Sequence, residues 1–262
     1  MKLEIITRYP AISTHSTPLL FVHGAWHGAW CWDAHFLDYF AQHGYAAHAL
    51  SLRGHGNSEG RDNLRWTRIA DYVEDLADAV RQLPGPPVLV GHSMGSFIIQ
   101  KYLEDHAAPA AALLTPPPPA GLLAPTLRLA LRHPFIFARV NLTFNLYPLV
   151  ATAGLARENF FSQGLADEQV QEYRGRLQPE SYRAFLDMIA LDLLQPEKGK
   201  TPLLVLGGSR DNMLKPDEIV ATARACNAQY EIIADVAHDM MLESRWQAVA
   251  ERILVWLKER EL

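Results

Sequence analysis

The chain has 262 residues, 49% of them hydrophobic and 20% charged, a composition that supports a large buried core and excludes disordered and fibrous classes. Its formal net charge of -5 gives no basic footprint for nucleic acid or an anionic membrane, so the expected partner is a small, neutral or weakly charged molecule. Cys31 and Cys226 have neither metal-ligand spacing nor the pattern of a disulfide framework, and they read as buried free thiols, with a single bridge between them as the alternative.

Residues 1–9 alternate like a strand and carry Glu4, which suits neither a signal peptide nor a membrane anchor; a cytoplasmic location is expected. A rhythm of strand and helix follows. Strands are predicted over 18–22, 46–52 and 87–90, with helical patterns over 32–42 and 69–83 between them, which argues for a parallel sheet covered on both faces. A further strand over 110–115 ends at four consecutive prolines, Pro116 to Pro119, which continue neither strand nor helix. From 121 to 196 no strand is expected. Helices are predicted around 125–132, 134–147, 167–177 and 180–194, rich in Phe, Leu and Met, and this stretch reads as a helical insertion. The alternation resumes with a strand over 202–208, a helix over 216–226, a strand over 229–234 and a closing helix over 245–260. The domains are therefore expected to be a core of 1–120 with 197–262, and an inserted cap of 121–196.

The chemistry centres on Gly91-His92-Ser93-Met94-Gly95, a G-x-S-x-G run with an apolar strand before it and a helical pattern after it. In that context Ser93 is a candidate nucleophile lifted onto a tight turn at a helix N-terminus, where unpaired N–H groups favour an oxyanion. A serine hydroxyl needs a base to attack at neutral pH and an acid to orient that base, and for this elbow the chain order is serine, acid, histidine. Three histidines follow Ser93. His106 stands at the far end of the helix that Ser93 begins, roughly 20 Å away. His133 lies in the insertion before a proline, whereas His238 follows directly after the last strand and is the candidate base. The strand that ends in prolines offers no carboxylate; the next ends in Gly207-Gly208-Ser209-Arg210-Asp211, so Asp211 is the candidate acid. Asp235 and Asp239 are too close to His238 in sequence to fold back onto its Nδ1. The oxyanion donors are expected to be the N–H groups of Met94 and, from the loop His23-Gly24-Ala25-Trp26-His27-Gly28-Ala29-Trp30, of Ala25. His23 and His92 read as structural, and Arg53-Gly54-His55-Gly56 as a buried turn beneath that loop. Trp26, Phe144, Phe160 and Met188 are candidate walls of an apolar substrate pocket.

Together, Phe21-Val22-His23-Gly24, Leu52-Arg53-Gly54-His55-Gly56-Asn57-Ser58, the elbow, Gly207 to Asp211 and Ala237-His238-Asp239-Met240-Met241 resemble the α/β-hydrolase fold superfamily over essentially the whole chain. The resemblance implies an α/β fold with a mostly parallel, eight-stranded sheet and a cap over the active site. The loop from His23 to Trp30 is also similar to the plant esterase and hydroxynitrile lyase branch, while Arg53 to Ser58 looks more like bacterial esterases and monoacylglycerol lipases. The expectation is a serine hydrolase of carboxylic esters working through an acyl-enzyme on Ser93, with no metal or organic cofactor. A lyase or C–C bond hydrolase with the same three residues, and a slow-turnover ligand receptor on the same scaffold, remain as alternatives.

Overall fold

The computed structural model describes residues 1–196 and 200–262. Seven strands form one sheet: β1 (Glu4–Arg8), β2 (Leu19–Val22), β3 (Ala47–Ser51), β4 (Val88–His92), β5 (Ala111–Leu114), β6 (Leu203–Gly208) and β7 (Gln229–Ile233). Their order is β1-β3-β2-β4-β5-β6-β7; β1 runs antiparallel to β3, and the other neighbours are parallel. The helices in chain order are α1 (Trp30–Asp33), α2 (Phe36–Gln42), α3 (Ile69–Gln82), α4 (Met94–Leu103), α5 (Leu123–Arg132), α6 (Pro134–Thr143), α7 (Ala153–Phe160), α8 (Asp167–Arg176), α9 (Tyr182–Leu186), α10 (Pro216–Ala225) and α11 (Trp246–Lys258).

β2, β3, β4 and β5 are buried at every residue, which is why they read as unbroken apolar runs. The two-residue period of a strand divides the core. Leu19 and Phe21 pack with Trp32, Phe36 and Trp256 on one face, whereas Leu20 and Val22 pack with Leu76, Phe97 and Ile219 on the other. Parallel strands joined by helices bring the loops after β2, β4, β6 and β7 to one edge of the sheet, the edge that carries Ala25, Ser93, Asp211 and His238.

Seven strands replace the expected eight among the described residues. β1 lies directly on β3, and the segment between β1 and β2 holds Pro10 and Pro18 around Ser13, Thr14, Ser16 and Thr17, a turn-forming composition that supplies no second N-terminal strand. The helix expected over 32–42 is divided into α1 and α2 at His35, whose φ of -149° is not helical. Between β5 and β6 the described residues contain α5 to α9 and no strand. In this stretch α6 stops short of the expected boundary because Phe144 takes a left-handed conformation, φ 49°. The unexpected α7 starts at Thr152, whose hydroxyl accepts from Leu155 N at 3.2 Å. α9 continues into a wider π turn over Asp187–Leu191. The expected end of the insertion at 196/197 adjoins residues 197–199, which lie outside the described ones.

Phe97 sits on α4, fully buried against the sheet beneath the Ser93 turn. Phe97→Ala should lower unfolding free energy by about 3–5 kcal/mol in urea titrations.

Candidate active site

Ser93 occupies the single residue between β4 and α4, with φ 49° and ψ -116°. A non-glycine residue held there costs about 1–3 kcal/mol, and the surroundings enforce it: Ser93 N donates to Leu114 O at 2.9 Å, while Ser96 Oγ donates to Gly91 O at 2.7 Å. The turn also packs against the loop after β2 with no room for side chains. A Cβ on Gly95 would stand 2.3 Å from Val22 O, and one on Gly24 would stand 2.6 Å from His92 Nδ1. Glycine at these two positions lets the nucleophile and the loop share one edge.

His238 Nε2 lies 3.0 Å from Ser93 Oγ, and its Nδ1 lies 2.8 Å from Asp211 Oδ2. The other Asp211 oxygen accepts from Met213 N at 2.8 Å and Leu214 N at 3.0 Å, so the carboxylate is anchored by the turn that leads toward α10. Burial opposes protonation of His238, but the charge and hydrogen bond of Asp211 and the charge of Asp239 outweigh it, raising the imidazole above its ordinary value. Such a chain moves a proton from hydroxyl to imidazole and stabilises the imidazolium that results. His106 bonds Tyr102 O and His133 bonds Glu158, so neither reaches the serine.

The Ala25 and Met94 N–H groups have no protein acceptor among the described residues, and both residues border the same cavity as Ser93. The peptide that carries Ala25 N–H is held at its oxygen: Gly24 O faces His23 Nδ1 at 2.8 Å and His27 N at 3.3 Å. Leu52 N donates to His23 Nε2 at 3.1 Å, which leaves the His23 proton on Nδ1 to donate to Gly24 O. Donation to that oxygen polarises the amide and sharpens its N–H as a donor. Next along, His27 Nδ1 faces Ala25 O at 2.7 Å while His27 Nε2 faces Asp239 Oδ2 at 3.0 Å. Trp26, at φ 66°, is clamped from the inserted segment: its N donates to Glu180 Oε2 at 3.2 Å and its O accepts from Gln178 N at 3.0 Å.

Glu180 is the functional-site residue that sequence reasoning missed. It is 4% exposed and also accepts from Tyr72 Oη at 2.8 Å, His55 Nε2 at 3.0 Å and Ser181 N at 2.6 Å. Burial would raise its carboxyl, but the His55 charge and these hydrogen bonds hold it below the ordinary value. In sequence it looks like an acid at a helix start. Asp239, which the sequence treats only as a neighbour of His238, is a second buried carboxylate at the site. Its burial would raise it, yet the charge and hydrogen bond of His27, then His92 and His238, hold it low. As expected from the spacing, its side chain does not turn back to His238 Nδ1; it points to the loop after β2. His92 Nε2 donates to His238 O at 3.0 Å and joins the elbow to the histidine loop.

The cavity over Ser93 and His238 holds about 820 Å³ including its open mouth, and its walls are mostly apolar, with Leu122, Leu129, Leu149, Phe185 and Met213 among them. Of the candidate wall residues, Trp26 and Met188 line it. Phe160 does not: it is buried behind the site, its ring 5.7 Å from Trp26 and 6.2 Å from His238. Phe144 also stands outside, because its left-handed backbone at the end of α6 directs it to the surface against Trp66. Both cysteines are free, and no cluster with metal-ligand character occurs among the described residues.

The sequence profile of the Alpha/beta hydrolase family matches residues 19–252. A pyrethroid hydrolase of Sphingobium wenxiniae is 30% identical over 98 residues, 37% of this chain and 34% of its own length. Methylesterase 18 of Arabidopsis thaliana is 36% identical over 78 residues, 29% of each chain. This chain thus aligns with about a third of the length of the curated relatives it matches. Among solved structures, a thermophilic esterase from Thermogutta terrifontis superposes with a TM-score of 0.76 at 19% identity, covering 99% of this chain and 94% of that one. An esterase from Exiguobacterium antarcticum gives a TM-score of 0.76 at 16% identity, with 98% and 96% covered. At these identities the superpositions establish the fold.

Removing the buried Glu180 carboxylate leaves His55 and Trp26 N without their acceptor, so Glu180→Ala should cost about 3–5 kcal/mol in chemical unfolding. Acid should act through the buried imidazoles. Burial and the neighbouring His238 hold His92 at about 3, well below the 6.5 of an unfolded histidine. The unfolded chain therefore binds a proton from pH 6.5 downward that the folded chain refuses until near pH 3. Stability should fall across that window, and His92→Gln should flatten the fall in urea titrations at pH 4, 5 and 6.

Proposed function

The chain belongs to the alpha/beta hydrolase family, and from that premise we propose that it is a serine hydrolase of carboxylic esters with residues 121–196 as its cap. The observation that carries this reading is the unbroken chain from Ser93 Oγ through His238 to Asp211 at 3.0 and 2.8 Å, beside two N–H groups with no protein acceptor among the described residues. In the proposed cycle His238 Nε2 takes the Ser93 proton as Oγ attacks the ester carbonyl. The resulting oxyanion accepts from Ala25 and Met94 N–H, each donor contributing roughly 3 kcal/mol. His238 then returns the proton to the departing alcohol oxygen, leaving the acyl group on Ser93. Water, deprotonated by the same imidazole, attacks the acyl carbon, and collapse of the second tetrahedral adduct releases the acid and restores Ser93. Asp211 keeps Nδ1–H in place throughout.

The apolar walls of the cavity favour a substrate whose acyl or alcohol part is hydrocarbon-rich and uncharged. Arg128, which also borders the cavity, is already engaged by Glu218, with 2.6 Å between Nη2 and Oε2, so it offers no free charge for an anionic group.

On p-nitrophenyl acyl esters, Ser93→Ala should lower kcat by about a millionfold; a rate equal to wild type would refute the assignment. Asp211→Asn should cost about ten-thousandfold. Because His238 must be neutral to act as base and its pKa is raised, kcat/KM should climb through a limb above pH 6.5. Asp239→Asn removes a charge that favours the imidazolium and should move that limb toward lower pH, as read from a pH–rate profile.

A further inference from the structure

Charge and exposed apolar surface are unevenly placed along this chain. Between Asp105 and Glu158 there is no acidic residue, while Arg128, Arg132, Arg139 and Arg157 all fall in that stretch. The same stretch turns apolar side chains outward. Leu123, Leu127 and Leu131, spaced by four along α5, are 56%, 55% and 84% exposed; on α6, Phe135 is 89% and Leu142 82% exposed. Phe135, Arg139 and Leu142 follow at intervals of four and three, so they share one helix face. Single exposed apolar residues are ordinary, whereas a stripe continued over two consecutive helices marks an interaction surface. The inner side of α5 supplies Thr126 and Leu129 to the cavity wall. One helix, about 10 Å thick, therefore stands between the reactive serine's cavity and this outer face.

We propose that the α5–α6 face docks on an anionic lipid surface. Charge decides the occupant. Two acids that pair with residues of these helices are already engaged: Glu158 by Arg132 and His133, Glu218 by Arg128. Arg139 is exposed and has no acidic partner among the described residues. A second copy on a two-fold axis would set this patch against itself, bringing arginine toward arginine with no acid of the patch to neutralise it. A layer of anionic headgroups gives Arg139 its counter-charge while the leucine and phenylalanine side chains enter the acyl boundary. Docked this way, the cap would place the cavity beside molecules dissolved in the bilayer, which narrows the substrate to membrane-partitioned esters; that step rests on the ester hydrolase reading.

Cosedimentation of the full chain with phosphatidylcholine vesicles, with and without phosphatidylglycerol, tests the docking without any turnover. Wild type should bind the anionic vesicles, lose binding as salt rises, and leave the zwitterionic ones largely unbound. Arg139→Glu should weaken the partition about tenfold, and a Leu131→Asp, Phe135→Asp double variant at least as much. Neither Leu131 nor Phe135 lines the cavity, so the double variant should keep its circular dichroism spectrum and its rate on p-nitrophenyl acetate. Wild type that ignores anionic vesicles, or a folded double variant that binds them undiminished, overturns the proposal. So does a solution dimer that Leu131→Asp converts to monomer, which would give the face to a second copy. A chain that hydrolyses no ester but still binds anionic vesicles would refute the chemistry and leave the docking standing.

Discussion

Close packing of backbone on backbone where the β4–α4 turn meets the loop after β2 is the constraint on which the rest of the site depends. Gly95 lies against the carbonyls of Val22 and His23, and Gly24 lies against the His92 ring. This contact brings Ser93 and the Ala25 N–H to one place, since neither loop could approach with a Cβ in the way. The strained Ser93 backbone follows from the same packing: the turn is fixed by hydrogen bonds to Leu114 O on one side and into α4 on the other.

Two buried carboxylates then hold the loops that this contact brings together. Asp239 ties the histidine loop to His27 and so to Ala25 O; Glu180 ties the inserted segment to His55, Tyr72 and Trp26 N. Each is expensive to bury alone and is offset by an imidazole and further donors. Their benefit is register. Ala25 is held through its own carbonyl and through the peptide on either side, so its N–H keeps one direction without relying on a substrate to set it. The insertion that walls the cavity is thereby mechanically joined to the loop that carries a proposed oxyanion donor.

The apolar, basic exterior of α5 and α6 shows how a net charge can conceal a local one. The chain as a whole is acidic, and nothing in the total of -5 points to a lipid surface. The acids are concentrated outside residues 106–157, and the folded insertion turns its leucines and phenylalanines outward because its inner face is already committed to the cavity and to the core.

What the sequence determined by itself was whatever depends on local pattern. Buried parallel strands must be apolar throughout, a G-x-S-x-G turn needs a strand before it and a helix after it, and the loops after successive parallel strands must open on one edge. These rules located Ser93, Asp211 and His238, and the structure brings the three within hydrogen-bond distance. The tertiary structure alone decided what depends on packing between distant segments. No local pattern names the partners of Glu180 and Asp239, which lie 154 and 212 residues away, at Trp26 and His27. Phe144 and Phe160 are aromatic in the way a pocket wall is aromatic, but a left-handed turn and the packing behind His238 keep them out of the cavity. Among the described residues no eighth strand occurs: β1 pairs directly onto β3, a pairing set by long-range register, and the proline-bounded segment that follows β1 adds no strand.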